Sequence, residues 1–394
     1  MGEVVRYTYR LRPGATAQRA LIAEWDRCRF LWNEAVHQQK LGGKPSFSKL
    51  SRLLTEARAR NTWLRTGSQV AQQQMLRTYG QSLNHSFAVK GRGRPGYKAR
   101  KTTKPSVEYT TRGFRLIDGR LALAKGVTIP VVWSRELPSL PTSVRIYRDN
   151  LGHWYASFVV RREIERVPEA AGAIGVDWGV ATTATTTDPE FDLPYRGHRR
   201  RCVAEVAKAQ RKMARRRRPK GKAQSKGYLL AKRQAAAIRK KAARQNLHEA
   251  RVWARRVVDR HQLIAVEDFK PSVLSKTTMA RKSADAAVGT AKRELVERGR
   301  RAGRKVVMVR PAYTTMTCSN CFARAKQQLE LAERTFRCHA CGHSDNRDRN
   351  AARVILAVAE RGHTSVDDVR HVQPSSGSVA GAVRAGNPTA SGNR

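Results

Sequence analysis

The chain has 394 residues, 78 of them Lys or Arg against 31 Asp or Glu, for a formal charge of +47. So large a basic excess is the electrostatic footprint of a partner that is a polyanion, and it is not what folding alone would favour. Hydrophobic residues make up 40%, enough for two or three ordinary cores, while no apolar run approaches membrane-spanning length, which excludes a helical membrane protein.

Val4–Leu11 alternates in the manner of a strand, and Pro13-Gly14 closes it. Thr16 is placed to cap a helix with Leu21, Ile22, Trp25, Phe30, Leu31, Trp32 and Val36 at helical spacing. A second helical stretch follows Thr66, through Val70, Met75, Leu76, Tyr79, Leu83 and Phe87. Residues 90–104 (KGRGRPGYKARKTTK) are too polar and too broken by Gly and Pro to pack. Short strands then follow at 107–109, 114–117, 121–123, 127–129, 143–148 and 154–161, with turns at Gly113, Asp118-Gly119, Asn150 and Gly152. These elements predict a β-barrel from residues 1–12 and 106–168, with a helical insertion at 13–105. The alternative is a helical domain followed by an unrelated β domain.

Ala173–Val180 is an apolar strand that delivers Asp177, and Gly179 permits a tight turn into the β-branched run 181–187. Between Arg199 and Arg244 stand nineteen Lys or Arg and one acidic residue, Glu205. The Ala/Lys/Arg/Gln composition predicts a helical hairpin, with Val203, Val206 and Met213 as its thin apolar stripe. Such a hairpin would line a nucleic-acid channel and contact phosphates, giving affinity and position with little base readout. A second strand, Leu263–Phe269, ends on Glu267-Asp268, and a third covers Lys305–Arg310.

Cys318-x2-Cys321 and Cys338-x2-Cys341 follow, separated by sixteen residues. Each pair makes a tight turn that presents two sulfurs to one metal, so the four close a tetrahedral zinc site. With every position filled, the zinc is structural. Disulfides are a weaker reading for an arginine-rich chain without a secretory signal. Cys28 and Cys202 read as ordinary free thiols, and His339 and His343 are surplus to the zinc site. Asp348 follows, with a helical run at 351–359 behind it; Asp345 suits a helix cap or the ribbon edge. Asp177, Glu267 and Asp348, arriving from separate elements on a chain built for polyanions, are the composition of a divalent-metal phosphodiesterase that uses Mg2+. Residues 361–394, rich in Gly, Ser, Ala, Val and Asn, read as a disordered tail.

The order Gly175-Val-Asp177-Trp-Gly, Val266-Glu267-Asp268-Phe, Pro311-Ala-Tyr-Thr-Thr-Met-Thr-Cys318-Ser-Asn-Cys321, Cys338-His-Ala-Cys341-Gly, then Asp348-Arg-Asn-Ala-Ala resembles the TnpB family of insertion sequences. These are compact RNA-guided DNA endonucleases related to type V CRISPR effectors. The likeness extends to the first strand and to Cys28-Arg-Phe-Leu-Trp-Asn33-Glu-Ala, and covers roughly residues 4–356. It implies a multidomain α+β protein: a wedge-like N-terminal β-barrel with a helical insertion, then a RuvC/RNase H-like α/β nuclease domain (171–310 and 343–360) with an inserted zinc ribbon (311–342). Asp177, Glu267 and Asp348 fall at its catalytic, magnesium-binding positions, although the family often has Asp-Arg-Asp where this chain has Asn346-Arg347-Asp348. The implied partners are a guide RNA and double-stranded target DNA. The implied setting is a bacterial cytoplasm, in association with the nucleoid. A miniature type V CRISPR effector and a non-cleaving RNA-guided DNA-binding repressor are the alternatives.

Overall fold

Alternation in the first strand sets the architecture. In β1 (Gly2–Leu11) the side chains of Val5, Tyr9 and Leu11 are buried while Val4, Arg6 and Thr8 face outward, as period-two geometry requires. The computed structural model describes residues 2–43, 46–163, 168, 170–219, 221–271, 277–325 and 333–372. The chain divides into two compact units, residues 1–165 with 205–238 and residues 166–204 with 239–394.

After β1 come the helices α1 (Ala15–Lys40), α2 (Phe47–Arg60), α3 (Thr62–Arg65) and α4 (Gln69–Ala88). The strands β2 (Ser106–Thr110), β3 (Phe114–Ile117), β4 (Arg120–Leu123), β5 (Val127–Val132), β6 (Ser143–Arg148) and β7 (Trp154–Glu163) follow. The seven strands form one antiparallel sheet in the order β2-β6-β7-β1-β5-β4-β3. Its two outermost strands, β2 and β3, are joined only by the single 3-10 turn Thr111–Gly113, so the sheet curls into a nearly closed barrel. Asp118 and Gly119 both have positive φ (48° and 70°), the backbone of a tight hairpin turn. Val107, Tyr109, Leu121, Ile129, Ile146 and Phe158 fill the interior and share one core with Trp25, Leu31, Leu76 and Tyr79 of the helices.

Several local expectations change. Gly14, not Thr16, is the N-cap of α1, and Ser68 caps α4 by accepting from the Ala71 N–H. The polar helices α2 and α3 escaped the sequence reading. Residues 90–104 hold no helix or strand before β2, yet they are pinned. Trp32 Nε1 donates to the Gly96 carbonyl at 2.9 Å, and Asn33 Oδ1 accepts from the Lys98 N–H at 2.7 Å. The Lys98 ammonium lies 3.2 Å from the Trp32 ring centre, where burial lowers its pKa to about 8.

The chain continues through β8 (Gly172–Trp178), β9 (Thr182–Thr186), β10 (Leu193–Pro194), α5 (His198–Arg201), α6 (Val203–Arg215), α7 (Lys226–Arg260) and β11 (His261–Glu267). Then come α8 (Ala280–Ala286), α9 (Val288–Arg301), β12 (Lys305–Val309), β13 (Thr335–Arg337), β14 (Ser344–Asn346), α10 (Arg347–Glu360) and α11 (Val366–Val372). The second sheet has the order β10-β9-β8-β11-β12, antiparallel across β9 and β8 but parallel across β8, β11 and β12. The basic run forms α5, α6 and the first half of α7. Its buried contacts are Ala209, Ala231, Ala235 and Ala242, whereas Val203, expected in an apolar stripe, is 61% exposed. Small residues let helices approach without large apolar side chains, so an apolar-periodicity search missed the seam. The disordered tail expected from 361 is contradicted over its first part, where α11 buries Val366 and Val369 against Val354, Ile355 and Val358; the rest of that expectation, residues 373–394, lies outside the described residues.

Lys98 yields a stability test. Its folded-state pKa lies below its unfolded value, so the folded state resists the proton, and stability attributable to Lys98 rises between about pH 8 and 10.5. Lys98→Met should therefore melt higher than the wild type near neutral pH, with the gap closing as pH rises through that window. A lower melting temperature for the variant at neutral pH would show that the ring contact outweighs burial.

Candidate functional site

Side-chain alternation puts Gly175 and Asp177 on one face of β8, and Ala265 and Glu267 on one face of β11. The parallel register pairs Val176 with Val266. Asp177 and Glu267, one residue further on, therefore stand side by side on strands roughly 4.8 Å apart. The opposite faces, with Ile174, Val176, Ile264 and Val266, pack against Trp253 and Val257 of α7 and Leu295 of α9. The carboxylate face is covered by α10, whose Val354, Ile355 and Val358 pack with Ala265 and Val309.

Gly175 decides how closely α10 sits. A Cβ there would lie 2.0 Å from the Ala352 carbonyl oxygen, so only glycine admits the helix at this height. Asp348 is four residues before Ala352 and shares its helix face, one turn or about 5.4 Å back along the axis. Asp177 is two residues beyond Gly175, about 6.6 Å along the strand. The two elements thus carry Asp348 toward Asp177. Asn346 fixes the start of α10, its Oδ1 accepting from the N–H groups of Asp348 and Arg349 at 3.0 and 3.1 Å.

The acids sense each other. Asp177 and Glu267 are only 6% and 7% exposed. Burial pushes the Asp177 carboxyl well above the usual range, and the charges of Glu267 and Asp348 push it the same way. Burial raises Glu267 to about 7, with the Lys292 ammonium opposing. Lys292 itself is paired with Asp268 at 2.8 Å. Around Asp348 stand Arg347 and Arg334, each 3.4 Å from one of its oxygens. Arg349 ties α10 to β9 and the following turn, donating to the Thr186 carbonyl at 2.6 Å and pairing with Asp192 at 2.8 Å. The three are hard oxygen donors of the chemical type that divalent cations such as Mg2+ take, although among the described residues only the cysteine group described next has donor atoms gathered closely enough to hold a metal. The structure thus brings the three expected acids into one electrostatic group. Asp345 pairs instead with Arg353 at 2.7 Å.

The four cysteines form a second cluster, their sulfurs all within 4.8 Å of one another. Cys318 and Cys341 sulfurs are 3.7 Å apart, and those of Cys321 and Cys338 are 3.6 Å apart. A tetrahedron with about 2.3 Å metal–sulfur bonds separates sulfurs by roughly 3.8 Å, so the donor set fits zinc. Each pair is a tight turn: Phe322 N–H donates to the Cys318 carbonyl and Gly342 N–H to the Cys338 carbonyl, both at 3.0 Å. Burial pushes Cys321 up to about 12, while the His343 backbone N–H draws Cys341 down to about 6. His343 Nε2 faces Ser319 Oγ at 3.4 Å.

Asn350 was part of the sequence motif but had been given no role. Fully buried, it donates from Nδ2 to the Thr317 carbonyl at 2.8 Å, and its Oδ1 accepts from the Ser319 N–H at 2.9 Å. These residues flank Cys318, so one amide side chain fastens the cysteine turn to the helix that carries Asp348. A buried Asn in a motif of charged residues gave no spacing or charge signal that would identify this clamp.

A family model described as Cas12f1-like, TNB domain, matches residues 289–355. A protein of Streptomyces pristinaespiralis, named for RNA-guided DNA endonuclease activity, is 29% identical over 382 residues, spanning 94% of this chain and 93% of the relative. Escherichia coli (strain K12) InsQ, similarly named, is 25% identical over 393 residues, spanning 91% and 93%. The solved structure of a Cas12f1–sgRNA–target DNA complex aligns with a TM-score of 0.51 and 11% identity, covering 90% of this chain and 99% of that one; at this identity the likeness concerns the fold.

Two outcomes follow from the geometry. Glu267 has a folded-state pKa raised above the ordinary glutamate value of 4.5, so its favourable contribution is complete below about pH 4.5 and lost as pH rises through about 7. Chelator-treated Glu267→Gln should melt above the wild type at pH 8 and match it near pH 4.5; equal melting at both would show that Glu267 carries no burial strain. Asn350→Ala leaves a buried carbonyl and N–H unpaired and should cost about 1–3 kcal/mol in urea unfolding. An unchanged midpoint would remove the clamp.

Proposed function

We propose that this chain, which belongs to the TnpB family, is an RNA-guided DNA endonuclease that hydrolyses DNA phosphodiester bonds at a guide-matched target beside a short flanking motif. The observation that carries the reading is the placement of Asp177 and Glu267 at the paired ends of β8 and β11, with Asp348 in the first turn of the helix seated on Gly175. Acids with pKa values perturbed by burial and by like charges cluster at functional sites. A mixed sheet with a leading hairpin and helices on both faces supports a RuvC, RNase H-like nuclease domain.

Asp177, Glu267 and Asp348 are the residues that would hold Mg2+. Bound there, Mg2+ supplies an activated water and stabilises the leaving oxygen of the phosphodiester. The protein's own work is to hold these carboxylates in place. The strand register sets the first two, and the seating of α10 on Gly175 sets the third. Cys318, Cys321, Cys338 and Cys341 would hold a structural Zn2+, bracing α10 through Asn350. We assign residues 1–12 and 106–168 to a wedge-like barrel, 13–105 to a recognition insertion, 171–310 and 343–360 to the nuclease domain, and 311–342 to the zinc ribbon. Within this scheme residues 205–238, most of the helical hairpin, fall in the same compact unit as residues 1–165. The hairpin's cations would hold nucleic-acid phosphates, making binding strongly salt-dependent. Among the described residues, no helix is long and apolar enough to cross a membrane. The Cas12f1-like match favours, as a second reading, a miniature type V CRISPR effector. A non-cleaving repressor is disfavoured by the presence of all three acids.

The test purifies the protein with its co-expressed RNA, sequences that RNA and assays matching plasmid libraries with and without Mg2+. Cleavage should require Mg2+ and a matched target. Asp177→Ala should lower it on the order of a thousandfold or more while RNA and target binding persist. Binding of the matched target without any cut by the wild type would support the repressor instead.

A further inference from the structure

The loop after α4 contains Arg92-Gly93-Arg94-Pro95, and nothing above uses it. Residues 92–99 lie in neither helix nor strand, and Arg92, Gly93 and Arg94 are exposed, the Arg94 guanidinium resting 5.6 Å from the centre of the exposed Phe87 ring, which it leaves on insertion. Proline locks its own φ and pushes the preceding residue toward extended backbone, so Arg94 is held extended by its position in the chain. A Cβ at Gly93 would meet nothing within 4 Å, leaving the edge between the two arginines open and narrow. Immediately downstream the loop is fixed to α1. Trp32 donates to the Gly96 carbonyl at 2.9 Å, Asn33 bonds the Lys98 N–H at 2.7 Å and its carbonyl at 3.2 Å, and the Lys98 ammonium stacks on Trp32. Upstream, the Arg92 N–H donates to the Val89 carbonyl at 3.1 Å, just past the end of α4. An arm held at both ends loses little entropy when it binds.

We propose that this arm reads A·T-rich duplex DNA by inserting Arg92 and Arg94 into the minor groove. The groove is only about 6 Å wide, so it admits a flat extended strand with no side chain between its arginines. Stretches of A·T narrow it further and concentrate negative potential there, which draws guanidinium groups in. Paired arginines two residues apart on an extended arm are a known solution to this geometry. Guanine obstructs the same approach because its 2-amino group projects into the groove. RNA is the less suitable target, since its minor groove is wide and shallow and its major groove is too narrow to read. Lys90, Arg100, Lys101 and Lys104 flank the arm and can meet the adjoining phosphates. The proposal takes from the endonuclease reading only the identity of the duplex, the one that flanks the guide-matched site.

The test uses the full-length protein with its co-purified RNA, bound to short duplexes made of A·T, G·C, inosine·cytosine or diaminopurine·thymine pairs. Inosine·cytosine presents a minor groove like A·T and a major groove like G·C; diaminopurine·thymine does the reverse. A minor-groove arm should bind A·T and inosine·cytosine alike, and prefer both over the other two. R92A/R94A should lose that preference and bind A·T about tenfold or more weakly, with RNA content unchanged. Diaminopurine·thymine binding as well as A·T would overturn the proposal, as would an unaltered preference in the variant. Loss of co-purified RNA from the variant would assign the arm to RNA and equally overturn it. Because these duplexes need no cleavage, a protein that never cuts would sink the endonuclease reading and leave this result standing.

Discussion

The seating of α10 on β8 is the constraint on which the rest of the second unit depends. Two backbones meet at Gly175 and Ala352 with no room for a Cβ between them. A glycine in a strand weakens that strand, since it offers no side chain to pack and loses more entropy on folding. Here that loss is offset by the apolar packing of Val354, Ile355 and Val358 beneath the sheet. The same contact fixes the height and register of the helix, and with them the position of Asp348 against Asp177.

Two buried aspartates of this unit receive opposite treatment. Asp285 is 5% exposed, as deeply placed as Asp177. Yet it is surrounded by donors: Tyr195 Oη, and the N–H groups of Arg199 at 2.7 Å and Arg200 at 3.0 Å, while Asn246 bonds its backbone carbonyl. Asp285 satisfies the start of α5, which is a packing role. Asp177 receives the opposite treatment, with two acids as neighbours and only the Trp178 N–H and Arg347 in its favour. In a chain of net charge +47, cations to neutralise Asp177 are abundant. The fold instead sets Glu267 and Asp348 close enough for their charges to act on it.

Much of this was legible in the sequence because the signals were local. Strand alternation, the doubled Cys-x2-Cys spacing and the strand-terminal Asp177 and Glu267 each occupy a few consecutive residues, and the structure brings both clusters together. What escaped was of two kinds. Weak-propensity elements were missed because nothing apolar repeated strongly: α2 buries only Leu50 and Leu54, and α6 and the first half of α7 bury alanines. Long-range polar contacts were missed because their partners lie far apart in the chain. The Asn33–Lys98 pairing turns a stretch that looked unstructured into a fixed loop, and Asn350 reaches back thirty-one and thirty-three residues to its two partners. Charge and spacing can nominate a site, but they cannot show what holds it still.

Asn350 also explains why the cysteine knuckle and the third acid are neighbours in sequence. A two-stranded ribbon, β13 and β14, has little core of its own: among the described residues its hydrophobic cluster is Cys318, Phe336 and Cys338. It needs cross-linking through its sulfurs and an external anchor. The anchor is the first turn of α10, where the next residues after Asp348 and Arg349 are Asn350 and two buried alanines. Ordering the ribbon therefore orders the N-terminus of the helix, and a helix N-terminus that is fully capped cannot fray. For a carboxylate placed in that first turn, where fraying would otherwise be greatest, the knuckle converts a mobile position into a fixed one.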